Sequence, residues 1–221
     1  MPLLFDYFKY AWIDFLKQVE VRHRYYKDAQ FSAIDRALLR IYILRSTYRL
    51  SKNYLLQHNE KDVHAYGETP LTTFEKIAKE VNLLPSDTLL ELGCGRGRGA
   101  FFLSHFFGCK VIGIEKIPIF IKMAKHTAVK FNVERVSFHC LNMLDMKLPT
   151  ANVIYLYGTC LSEKEIEQLI IGLRSLPSGT KIISISYPLT EYAEKGFFHF
   201  EKSFSVDFPW GKTDAYLQRI N

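Results

Sequence analysis

The sequence predicts an α/β fold: a doubly wound sheet, mostly parallel, with antiparallel terminal strands and a helical extension in front. Three observations carry this. From residue 88 to 187 short apolar runs alternate with helical patterns, the mark of a parallel sheet with crossover helices. Four glycines, Gly93, Gly95, Gly97 and Gly99, punctuate the first strand-to-helix junction. Past residue 198 the rhythm changes. There "HFEKSFSVDF" and "DAYLQRI" flank "PWGKT", which reads as two antiparallel strands closing one edge.

The elements follow in order. Phe5, Phe8, Trp12, Phe15, Leu16 and Val19 recur at helical spacing, with Asp6, Lys9, Lys17 and Gln18 off the stripe. A second helical segment is predicted from about Ser32 to Leu56, with Leu38, Ile41, Tyr42 and Tyr48 among its apolar residues. In "PLTTFEKIAKEVNLL" Pro70 stands near a helix start, ahead of Phe74, Ile77, Ala78 and Val81 at 3/4 spacing. Strand "TLLEL", helix "GAFFLSHFFG", strand "KVIGI", helix "IPIFIKMAKHTAVKF" and strand "VSFHCL" come next. Strand "VIYLY", helix "SEKEIEQLIIGLRSL" and strand "KIISISY" complete the alternation. The expected division is a helical N-terminal extension over 1–65, packed on the core, and a main domain over 66–221.

Composition narrows the class. A chain of 221 residues that is 48% hydrophobic can bury a core without staples. Cys94, Cys109, Cys140 and Cys160 show no CxxC or Cys/His ligand spacing, so neither a disulfide framework nor a metal site is expected. No uncharged apolar run reaches the roughly 18 residues of a membrane span, and "MPLLFDYFKYAWIDF" lacks the basic n-region of a secretory signal. A cytoplasmic protein is expected, with a peripheral place at a membrane surface as the alternative. The net charge of +6 is uneven. Residues 21–52 hold Arg22, Arg24, Lys27, Arg36, Arg40, Arg45, Arg49 and Lys52 against Asp28 and Asp35, which accounts for all of it. An acidic partner or an anionic membrane surface could dock there, nucleic acid is not excluded, and a solvated helical face is the bland alternative.

The glycine turn points to chemistry. A glycine-rich strand-to-helix turn lets backbone N–H groups approach a ligand closely. Here the spacing is GxGxGxG, and Arg98 stands where a dinucleotide site has its third glycine. Glu91, near the strand end, would repel a pyrophosphate and attract an ammonium or sulfonium group. Glu115 ends the next strand, where a carboxylate can hold both ribose hydroxyls. The pattern favours S-adenosylmethionine over a nicotinamide dinucleotide.

"LLELGCGRGRG" with "VIGIEK" resembles the first two motifs of class I, Rossmann-like S-adenosylmethionine-dependent methyltransferases. The resemblance implies that Gly93, Cys94, Gly95, Gly97 and Arg98 form the donor turn, with Glu91 near the amino group and Glu115 and Lys116 at the ribose. It places the adenine contact at Asn142, with Met143 as a stacking neighbour and Asp145 as the alternative. Tyr66, Gly67, Glu68 and Thr69 resemble a loop of the Dot-one-like protein lysine methyltransferases, where that loop covers the methionine end of the donor. By the same resemblance Tyr157 and Thr159 flank the methyl, Trp210 and Tyr216 wall a lysine channel, and Glu68 orients. The chain departs from that family's pattern at Tyr157, where the family has an amide. His64 and His139 are candidate bases with a structural role as the alternative. In-line transfer to a protein lysine without a dedicated base is the leading expectation. A nucleic-acid or small-molecule acceptor and a non-catalytic donor-binding module are the competing ones.

Overall fold

The computed structural model describes residues 15–43, 46–60, 62–63, 66–145 and 147–221. The predicted stripe residues Phe5, Phe8 and Trp12, and His64, lie outside the described residues. Four helices precede the sheet: α1 (residues 15–25), α2 (Ala29–Ile41), α3 (Thr47–Gln57) and α4 (Leu71–Glu80). The one long helix predicted from Ser32 to Leu56 is therefore two. Asp28 caps the first of them, its side chain accepting the Phe31 N–H at 2.8 Å. Ser46 occupies the N-cap position of the second.

The rest alternates as expected. Strand β1 is Thr88–Leu92, α5 Arg98–Phe107, β2 Lys110–Glu115, α6 Pro118–Lys130, β3 Val136–Cys140 and β4 Val153–Leu156. Then come α7 (Glu163–Leu173), β5 (Lys181–Ile185), a 3-10 turn (Leu189–Glu191), β6 (Phe198–Phe208) and β7 (Gly211–Ile220). The start of α7 is fixed by a capping box between Ser162 and Glu165. The seven strands lie in the order β3-β2-β1-β4-β5-β7-β6. The first five are parallel, and β7 and β6 are antiparallel.

Helices cover both faces, so the central strands read as near-continuous apolar runs. On one face Leu89, Val111, Val153 and Ile183 meet α4, α5 and α6, and α1 and α2 join the same cluster through Val21, Tyr25, Phe31, Ile34 and Leu38. Phe31 stacks edge-on against Phe102 at 5.8 Å between ring centroids. Burying such side chains stabilises the contact by roughly 2–3 kcal/mol each. On the other face Leu90, Leu92, Ile112, Ile154 and Ile182 meet α7. The glycine turn, the end of β2 and the end of β4 thus sit together at the carboxyl edge, where the strand order reverses. Ligands of open parallel sheets bind at such a switch point. No helix among the described residues is long and apolar enough to cross a membrane.

Candidate active site

The cleft at this edge is lined by the 67–69 loop, by Glu91, by the turn from Gly93 to Arg96, and by Tyr155 and Tyr157. Gly93, Gly95 and Gly97 all take left-handed backbone, with φ of 77°, 53° and 78°. Their surroundings separate their roles. A Cβ on Gly93 would meet nothing within 4 Å, so its face is open to the cleft. A Cβ on Gly95 would touch the Tyr66 hydroxyl at 3.3 Å. A Cβ on Gly97 would strike the Phe138 ring at 2.5 Å. Gly97 therefore lets α5 pack on β3 rather than lining the ligand face. Gly99, which the donor pattern leaves aside, sits 2.5 Å from Phe74 and 2.9 Å from a Glu91 oxygen by the same measure.

Glu91 is buried, and its Oε2 has no hydrogen-bond partner. Burial, then the neighbouring charges of Glu115 and Glu68, push its pKa up to about 8. An unpaired buried carboxylate oxygen on a ligand cleft is the feature a bound cation would satisfy. Glu115 accepts the Gly95 N–H and the Ile117 N–H, both at 3.0 Å, so it braces the turn. Burial raises its pKa despite those bonds.

The 66–69 loop closes over the turn. The Tyr66 hydroxyl donates to Glu68 Oε1, and the Thr69 hydroxyl meets the Tyr155 hydroxyl at 2.6 Å. Arg96 Nη2 donates to Glu68 Oε2 at 2.7 Å, and its guanidinium lies over the Tyr42 ring at 5.4 Å. Burial works against Glu68, but the Arg96 charge and the Tyr66 bond hold its pKa below the ordinary carboxylate value. Both Glu68 oxygens are thus engaged. It holds the loop to the turn instead of standing free as an orienting acid.

Arg96 and Arg98 both border the cleft, and the sequence reading named only Arg98. Arg98 borders the cleft, but its guanidinium turns away to Asp35, with Nε and Nη2 at 2.7 and 2.8 Å, and to Gln18 at 3.0 Å. Arg96 keeps its charge at the cleft, and its buried Nε has no partner. The signal was helical phase. The first residue of α5 faces the helices packed behind it, whereas the residue in the turn faces the ligand edge.

The remaining candidates divide. The Cys94 side chain packs inward beside Gly113, where a Cβ would come within 2.7 Å of its sulfur, so only its backbone serves the turn. Lys116 pairs with Glu60 at 2.6 Å, and Thr47 hydrogen-bonds Tyr66. Thr47 on α3 and Glu60, three residues past its end, thus reach the two ends of the edge. Asn142 and Asp145 are bonded to each other at 2.7 Å in the loop after β3, and Met143 is half-buried beside them. The two adenine alternatives are therefore one paired unit. None of these three lines the cleft next to the turn. His139 is exposed at the sheet edge and does not reach the cleft.

At the cleft mouth Tyr157 stacks on Phe208 at 4.8 Å and 8°, and Phe208 on Trp210 at 5.3 Å and 15°. Trp210 Nε1 donates to the Tyr157 hydroxyl at 2.9 Å. A Cβ on Gly67 would touch the Tyr157 ring at 3.0 Å, so this aromatic wall adjoins the loop. Thr159 is exposed beyond it. Tyr216 is not part of the wall. Side chains alternate along a strand, and Ala215 and Leu217 point into the cluster that holds Phe208. Tyr216 consequently faces the other side of the sheet, near Phe200 at 6.5 Å. Among the described residues no group of His, Cys, Asp or Glu is placed to hold a metal ion.

A family described as "Methyltransferase domain" matches residues 84–205. A geranyl diphosphate 2-C-methyltransferase of Saccharopolyspora erythraea is 36% identical over 70 residues, 31% of this chain and 25% of that protein. A histone-lysine N-methyltransferase of Dictyostelium discoideum, H3 lysine-79 specific, is 24% identical over 135 residues, 54% of this chain and 7% of that protein. The chain thus spans a quarter or less of these curated relatives. An RNA methyltransferase of Salinibacter ruber, solved with S-adenosyl-L-homocysteine, has the same fold. Its TM-score is 0.56 at 24% identity, over 70% of this chain and 94% of that one.

Proposed function

Because the chain belongs to the methyltransferase-domain family and uses S-adenosylmethionine as methyl donor, we propose that its acceptor is a lysine amine on a protein. The observation that carries the proposal is the stacked wall of Tyr157, Phe208 and Trp210 beside the cleft. Flat ring faces can flank an extended alkylamine, attract a cationic centre and shield the amine from water.

The cleft fits the donor on two counts, the orphaned Glu91 oxygen and the open face of Gly93. Glu91 would balance the amino group, Arg96 the carboxylate, and Glu115 the ribose hydroxyls. Bound there, the donor supplies a methyl on a sulfonium sulfur, which passes to the amine lone pair and leaves a neutral thioether. The chain's own work is positioning, worth up to roughly 7–11 kcal/mol in an effective-molarity sense. A lysine with an ordinary pKa of about 10.4 must first lose a proton, and desolvation against the wall favours the neutral amine. Among the described residues no histidine lines the cleft, and the reading assigns no dedicated base.

The test is incubation with radiolabelled donor and a whole-cell lysate, then separation into protein, RNA and small-molecule fractions. Label in protein, recovered as methyl-lysine after hydrolysis, is expected. Label confined to RNA or small molecules would overturn the lysine reading. Trp210→Ala should lower turnover on the protein fraction by about ten- to a hundredfold with donor affinity little changed. The second reading is a small-molecule acceptor, favoured by the 36% identity to a geranyl diphosphate methyltransferase over 70 residues.

A further inference from the structure

Between Asp35 and Glu60 the chain carries no carboxylate, yet it carries Arg36, Arg40, Arg45, Arg49 and Lys52. Helical periodicity turns most of the described ones outward. α2 buries Phe31, Ile34, Asp35 and Leu38 and leaves Arg36 and Arg40 exposed. α3 buries Ser51 and Leu55 and leaves Arg49 exposed. Each outward stripe ends in an aliphatic side chain. Ile43, just past α2, is 73% exposed, and Leu56 on α3 is 52% exposed.

Several exposed cations elsewhere find acids, Arg24 with Glu20, Lys79 with Glu75, Lys202 with Glu80 and Arg219 with Glu201, while others, such as Lys122 and Lys125, stand dispersed on the surface. Among the described residues Arg36, Arg40 and Arg49 make no such pair. Arg36 instead rests over the Tyr26 ring at 5.1 Å. The fold therefore maintains cations on these two faces without counter-ions of its own.

We infer that the outward faces of α2 and α3 dock on an anionic lipid surface. Unpaired arginines supply attraction to headgroup phosphates within a Debye length. Ile43 and Leu56, both more exposed than the Tyr48 ring at 42%, favour lipid among the polyanions that such arginines could meet. An exposed aliphatic gains from the acyl boundary of a bilayer. A nucleic-acid groove that binds by stacking uses planar rings instead. Because the core-facing stripes of both helices are already buried, contact is made by these tips and the arginines, without insertion of a whole helix. The inference rests on the helices alone and is independent of the acceptor.

Sedimentation with vesicles of phosphatidylcholine, with and without phosphatidylglycerol, tests it on the full chain. The protein should pellet with the anionic vesicles only, and added salt should release it. The triple variant R36S/R40S/R49S should lose partition on the order of a hundredfold, with donor binding retained as proof of folding. I43S/L56S should lose several-fold. Equal pelleting with neutral vesicles, wild-type partition by the triple variant, or binding of RNA without binding of vesicles would each overturn the inference.

Discussion

Glu91 gives the donor cleft an acid-base property that can be measured. Its carboxyl is buried beside Glu115 and Glu68, and its pKa stands near 8 against an ordinary 4.5. Below that value it is protonated, and a cationic donor must displace the proton in order to pair with it. Donor affinity should therefore rise as pH increases toward 8 and level off above it. Glu91→Gln should flatten this profile and weaken binding, as titration calorimetry across pH 6 to 9 would read. The linkage for stability runs the other way. Between about 4.5 and 8 the folded state keeps a proton that the unfolded state has lost, so stability falls as pH rises through that window. Glu91→Gln should then be more stable than wild type at pH 8, by at most about 5 kcal/mol at 1.36 kcal/mol per unit. A variant that loses donor binding while gaining stability would mark Glu91 as a functional group rather than a structural one.

Among elements, the glycine turn and α2 behave as one unit. Asp35, almost fully buried, takes two bonds from Arg98 and one from the Tyr26 hydroxyl at 2.8 Å. Asp35→Ala would leave a buried guanidinium unpaired, at a cost of about 3–5 kcal/mol in a denaturant melt. Arg98→Met in the same background should recover part of that loss, because an apolar replacement needs no partner. Gly97→Ala meets both a left-handed φ and the Phe138 ring, so about 2–4 kcal/mol is expected. The turn itself was legible in the sequence because its signal is local: glycines at fixed spacing behind an apolar run, with acids at two strand ends. The Arg98–Asp35 pair was not legible, because its members are 63 positions apart and only the packing of α2 on α5 joins them. The break between α2 and α3 was missed because Ser46 as an N-cap is a weak signal inside a long apolar-basic pattern.

For the molecule as a whole, strand alternation carried the architecture, since parallel strands buried on both faces leave unmistakable apolar runs. Sheet order explains what was misjudged in the substrate half. Trp210 and Tyr216 look equivalent along the chain, yet β7 pairs with β5 in a register that sets Tyr216 opposite Ser184. That register turns Tyr216 away from the wall that Phe208 and Trp210 build with Tyr157. Phe208 had no signal of its own, being one aromatic among several in a strand, and only its 8° stack on Tyr157 singles it out.

Every role assigned to the cleft depends on donor binding at the glycine turn. Its most direct test is calorimetric titration of S-adenosylmethionine into wild type, Glu91→Ala and Glu115→Ala at pH 8, with a melt of each to confirm folding. Saturable one-to-one binding by wild type, weakened at least tenfold in both folded variants, is the predicted result. Wild-type affinity retained in both variants would contradict it.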